Sequence, residues 1–161
     1  MRIAVSPTTP GIRCLDAHGR RCPLIVSVEV IEHGGTKYAE IIWSDTRAER
    51  STFFSPPESS FQFGLLAHEA GYAEEPHYHR ELPRTIVDLQ QMFVVQRGIV
   101  DVQLYTDDRA LYRVVRLHPG DAIVLIHGIH AIKVIEDIQC LTVKQGPFFG
   151  DEEDKVVVER T

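Results

Sequence analysis

The sequence predicts an all-β domain, a sandwich or barrel of short strands. From residue 92 onward, runs rich in Val, Ile and Tyr are separated by turn residues at intervals of roughly 8–12 residues, the spacing of such folds. Apolar and polar side chains alternate with period two, Val100, Val102 and Leu104 falling on one face and Asp101, Gln103 and Tyr105 on the other. Helical periodicity is weak throughout, and Ser55-Pro56-Pro57 breaks any helix between residues 48 and 60, which read as loop.

Each element follows from its local pattern. Leu24 to Ile31 and Tyr38 to Trp43 are strand candidates joined by His33-Gly34-Gly35. They could extend the sheets of the barrel, cover its mouth or build a dimer contact. Met92 to Gln96 leads through Arg97-Gly98 into the strand Ile99–Tyr105, closed by the polar turn Thr106-Asp107-Asp108-Arg109. Tyr112 to Leu117 is extended again and ends at Pro119-Gly120-Asp121. Ala122 to Ile126, Ala131 to Ile135 and Ile138 to Lys144 follow, interrupted at Gly128 and at Glu136-Asp137. Met92, Phe93 and Phe63 read as core. The acidic run Asp151–Asp154 reads as a solvated loop.

Composition bounds the function. The 161 residues suit one domain over 1–161 with a substantial core, and 43% hydrophobic and 25% charged residues are ordinary for a globular chain. A net charge of -6 argues against nucleic acid as a partner, since duplex binding needs a basic face. No apolar run approaches a membrane span of ~20 residues. The opening residues Met1 to Ser6 lack a signal-peptide core, so a cytoplasmic protein is expected. Cys14, Cys22 and Cys140 do not suggest a disulfide framework. Cys14, His18 and Cys22 are spaced like zinc ligands, but structural zinc takes four ligands and no fourth is near.

The chemistry concentrates at three histidines. His77 and His79, two apart on an extended segment, project from the same side, and Tyr78 between them is expected to point away into the sheet packing. His130, from a distant strand, could complete three imidazole corners around one divalent ion, for which imidazole is the commonest ligand. His127 lies three residues from His130 and so falls on another strand face, at the rim. Glu81 is also a rim candidate, and Arg84 could bind a carboxylate or phosphate if it reaches the mouth. His68 reads as structural or exposed, and His18, His33 and His118 sit in apparent turns with no visible partner.

These residues carry a resemblance. Gly71 through His77-Tyr78-His79 fits the G-x5-H-x-H opening of the first cupin motif, and Gln91 to Gly98 reproduces its closing E-x6-G with glutamine in the glutamate's place. Gly120-Asp121 through His130 resembles the second motif, with Ile126 where the motif has proline and one residue fewer between Gly128 and His130. The stretch between His79 and Gln91 is long for the first motif. Over about residues 60–147 the chain thus resembles small single-domain bacterial cupins of unassigned activity. The resemblance implies a double-stranded β-helix, or jelly-roll barrel, with residues 1–59 adding N-terminal strands. It also implies a divalent transition metal (Fe, Zn, Mn or Ni) held by His77, His79, His130 and Gln91.

Glutamine in place of glutamate leaves a neutral shell, so the full charge of the ion would act on a bound anion or water. It also removes the obvious base. The expected function is therefore binding or transformation of a small organic molecule, with three-histidine iron dioxygenase chemistry as its enzymatic form. A non-catalytic binding or sensor protein and a sugar-related isomerase or epimerase are the alternatives. A homodimer is expected, since exposed sheet edges need covering and N-terminal strands can exchange across a two-fold axis.

Overall fold

The computed structural model describes residues 28–159, so Cys14, His18 and Cys22, and the strand expected from Leu24 as far as Ser27, lie outside the described residues. The architecture is all-β: strands β1 (Glu29–His33), β2 (Thr36–Ile42), β3 (Thr52–Phe53), β4 (Gly64–Leu65), β5 (Gln91–Tyr105), β6 (Leu111–Leu117), β7 (Ala122–Leu125) and β8 (Ile129–Lys144), then one helical turn, α1 (Asp151–Asp154). One antiparallel sheet runs β1-β2-β7-β5-β6, with β8 on the other side of β5, and β3 and β4 form a separate hairpin. Of the roles open to the N-terminal candidates, β1 and β2 take that of extending the sheet, β2 pairing with β7.

The sheet curls into a half-barrel. Its path ends, β1 and β6, approach one another through side chains: Arg113 Nη2 donates to Glu29 Oε1 at 2.9 Å, the Tyr112 hydroxyl donates to the Glu32 carbonyl at 2.6 Å, and the Tyr112 and His33 rings lie 4.7 Å apart. His33 therefore has a partner, and so has His118, whose Nδ1 lies 3.8 Å from Asp121 Oδ2. The concave face holds the main core, with Ile31, Ile41, Val95, Val102, Leu104, Leu117 and Ile123 among its buried members. A second cluster, Ile42, Phe63, Ala122 and Val124, lies on the opposite face beneath Phe54, Phe61 and Leu65. β7 is buried on both faces, which is why Ala122 to Leu125 reads as an unbroken apolar run rather than an alternation.

The expected interruptions at Arg97-Gly98 and Glu136-Asp137 do not end strands: β5 and β8 run through both sites and pair along almost their whole length. The register changes there instead. Before the irregularity Gln91, Phe93 and Val95 oppose Lys144, Thr142 and Cys140, and after it Val100, Val102 and Leu104 oppose Val134, Ile132 and His130. Directly opposed residues share a face, so β5 passes from odd-numbered to even-numbered residues facing the core while β8 stays even. An extra residue in one strand has this effect. The acidic run 151–154 is likewise a helical turn rather than a loop, and Tyr78 does not pack into the sheet, being 86% exposed.

Gly98 makes the register change possible. Its φ is 78°, and a Cβ there would lie 2.1 Å from the Asp137 carbonyl oxygen on β8. Gly98→Ala is expected to cost about 3 kcal/mol, from left-handed backbone strain plus overpacking. Gly71→Ala, also at positive φ but with open space around it, should cost only about 1 kcal/mol. Urea denaturation midpoints of the two variants check this, and equal losses would contradict it.

Candidate functional site

The shared face rule puts two of the motif residues on the concave side. Gln91, at the start of β5, opposes Leu125 of β7 and Lys144 of β8. His130, at the start of β8, opposes Leu104. Because β7 leads through Ile126, His127 and Gly128 directly into β8, the turn after Leu125 carries His130 back toward Gln91. Both residues line one cavity of about 550 Å³, together with Leu89, Tyr105, Lys144 and the C-terminal residues 155–159. A smaller recess of about 200 Å³ shares Leu89, Gly128 and His130 with it and adds His127 and Asp88.

Tyr38 anchors the turn that presents His130. Its backbone carbonyl accepts from the amides of Ile126 at 2.9 Å and His127 at 3.2 Å. Its buried ring fills the space beside Gly128, where a Cβ would come within 2.5 Å of Tyr38 Cε1, and Gly128 has a φ of 82°. The His127 ring meets Tyr38 edge-on at 5.5 Å, and its Nε2 lies 3.6 Å from Asp107 Oδ1. His127 lies in the turn between β7 and β8 and lines the smaller recess. Burial, then the charges of Asp107 and Asp108, raise the Tyr38 phenol above its ordinary pKa. This tyrosine is a neutral structural group, not a base.

Charges of both signs line the cavity, Arg109, Lys144 and Lys155 with Asp154 and Glu159, beside the uncharged Gln91. Gln91 Nε2 donates to Thr142 Oγ1 at 3.0 Å, and the amide oxygen can still accept from a ligand. Lys144 is engaged by Asp154 Oδ2 at 3.3 Å and lies 4.1 Å over the Phe148 ring. Tyr105 donates its hydroxyl to Gln103 Oε1 at 3.1 Å. His130 is an exposed residue, yet the atoms around its ring displace enough water to lower its pKa, against a smaller opposing effect of the Gly128 backbone. Near neutral pH it is an uncharged imidazole, able to donate from one nitrogen and accept at the other.

The other expected residues lie elsewhere. The His77 and His79 rings lie 5.4 Å apart with nearly perpendicular planes, on an exposed segment outside any strand. His77 Nδ1 is 3.1 Å from the Glu75 carbonyl. Arg84 is exposed, its Nη1 3.4 Å from the Leu82 carbonyl, and Glu81 is exposed too. Neither lines the cavity. His68 is stacked on Tyr72 at 3.9 Å and lies 3.1 Å from Ser51 Oγ. Among the described residues no group of three or more His, Cys, Asp or Glu side chains is close enough to hold a metal ion. Three imidazoles and an amide suit a divalent transition metal in kind, and His77 and His79 line neither of the cavities that His130 lines.

Lys144, Tyr105 and the C-terminal residues were not among the site residues expected from sequence. Lys144 could be found only from its register with Gln91, which no local pattern reveals. Among the described residues no helix is long and apolar enough to cross a membrane. Compared with protein-family models, curated proteins and solved structures, the chain matches none.

Lowered by burial, His130 should titrate with a midpoint below 6.5 in an NMR titration of its ring protons. The sign follows: the folded protein binds the proton less readily than the unfolded chain, so stability is full above the ordinary histidine range and falls as pH drops toward the lowered value. His130→Asn should remove this acid-side loss. A midpoint at or above 6.5 would contradict the partial desolvation of the ring.

Proposed function

We propose that the protein binds a small organic molecule in the cavity between Gln91 and His130, as a cupin-like jelly-roll domain. One observation carries this reading. Two polar side chains from motifs some forty residues apart in the chain face the concave side of the sheet and wall the same cavity. Apolar walls with a few convergent polar groups are the usual make-up of such sites. The neutral imidazole and the amide suit a hydroxyl, carbonyl or amide group on the ligand. Without a carboxylate at position 91 and with Lys144 paired, binding is favoured over acid–base catalysis, and a sugar isomerase is the weaker reading.

A divalent transition metal, held by His77, His79 and His130 with Gln91, belongs to the same proposal as its enzymatic form. What supports it is the donor chemistry and the proximity of the His77 and His79 rings, 5.4 Å apart. What it requires is that their segment move to His130. A metal so held would supply Lewis-acid or oxygen-activating chemistry. A homodimer is part of the proposal too, supported by the exposed Val114, Ile135 and Leu141 on β6 and β8.

A thermal-shift panel of small hydroxy, keto and amide compounds tests the cavity. A ligand at 100 times its Kd should stabilise the fold by about 2.7 kcal/mol, and Gln91→Leu with His130→Ala should abolish the shift. A shift that survives both substitutions would place the ligand elsewhere. Elemental analysis after reconstitution tests the metal: about one ion per chain is expected for a single site, lost in His77→Ala and in His130→Ala alike. Retention in both variants would sink the three-histidine set.

A further inference from the structure

One wall of the cavity is not part of the sheet. After β8 the chain makes the turn α1 and returns as Lys155–Glu159 along the cavity. The base of this return is pinned. Asp154 accepts from Lys144 Nζ at 3.3 Å and from the Phe149 amide at 3.4 Å, and Lys155 pairs with Asp151 at 2.7 Å. Beyond the pin the segment pairs with no strand among the described residues, although three consecutive valines have high β propensity. Val156 and Val157 are 90% and 94% exposed.

Across the cavity stand Ile129, His130 and Ala131, where β8 begins. Among the described residues β8 is laddered only to β5, so its outer edge presents unpaired N–H and C=O groups. Ile132 and Val134, the next side chains on the concave face of that edge, are 47% and 50% exposed. An open edge and an unpaired valine run thus face one another over the candidate ligand site.

We propose that Lys155–Val158 is a strap that closes over a ligand by pairing with the free edge of β8, and that the ligand is a molecule with an apolar body and one polar end. This rests on the reading of the cavity as a small-molecule site. Strand addition satisfies both sets of backbone groups and covers apolar side chains on both sides. The polar end meets His130 and Gln91, and the apolar body lies against Leu89 and the valines. The Asp154 pin is the fixed point about which the strap turns. Open in the free protein, the strap belongs to the low-stability part of the fold, as binding elements commonly do.

The test uses the full chain and Nile red, a neutral apolar dye bearing a carbonyl, with fluorescence for binding and amide hydrogen exchange for closure. Dye binding should slow exchange at least tenfold in residues 129–134 and in residues 156–158 together. The double variant Val156→Asp, Val157→Asp changes only exposed side chains and should keep the wild-type melting temperature. It should weaken dye binding about tenfold and lose the added protection. Binding without slowed exchange at 156–158, or binding undiminished in the double variant, overturns the strap and leaves the cavity reading standing. No dye binding in the wild type, with no stabilisation by any compound of the ligand panel, overturns both.

Discussion

Everything in this fold depends on the pairing of β5 with β8. These two strands are the longest in the structure, and they pair along nearly their whole length. A side chain in a strand alternates between faces, so a long strand with a regular register would keep one parity on the core throughout. Here the core-facing set changes from Phe93 and Val95 to Val100, Val102 and Leu104 within one strand. The register change around Gly98 permits that switch, and the left-handed backbone of Gly98 permits the register change. Because Asp137 of β8 lies against Gly98, the contact that absorbs the extra residue also blocks any larger side chain.

The same irregularity lets one strand serve two neighbours. The first half of β5 pairs with β7 and the second with β6, while β8 follows both halves. The sheet curls as its partner on that side changes, and the curl makes the concave face. Asp121 reinforces the corner between the two partners: its carboxylate accepts from the Ser44 amide at 2.9 Å and from the His118 amide at 2.8 Å. On the outer surface Arg116 grips Asp101 with two bonds of 2.8 and 2.9 Å, and this pairing, foremost, holds the Asp101 carboxyl below its ordinary pKa. From the curl follows the approach of Gln91 and His130, with Tyr38 fixing the last turn.

Local pattern made much of the sheet legible. The alternation in Ile99–Tyr105 located the buried face, and Phe63 was assigned to the core where it lies. Gly98 and Glu136 carry the signal of strand ends but mark a bulge, because a glycine at positive φ serves either purpose. The site was legible in part. Gln91 and His130 come together because their positions are set by strand pairing, whereas His77 and His79 lie in a stretch that pairs with no strand among the described residues. Spacing predicts that their rings lie near one another, and they are 5.4 Å apart. Where the segment carrying them rests depends on tertiary contacts that spacing does not encode. Lys144 and the valines at 156–158 reach the cavity through register and chain return, which have no local signature.

The central claim is that Gln91 and His130 act as two poles of one binding site. NMR of the His130 imidazole and the Gln91 side-chain amide during Nile red addition addresses it directly. Both sets of resonances should shift together along one saturation curve, while those of His77 and His79 stay in place. Shifts at His77 and His79 with none at Gln91 and His130 would contradict the account.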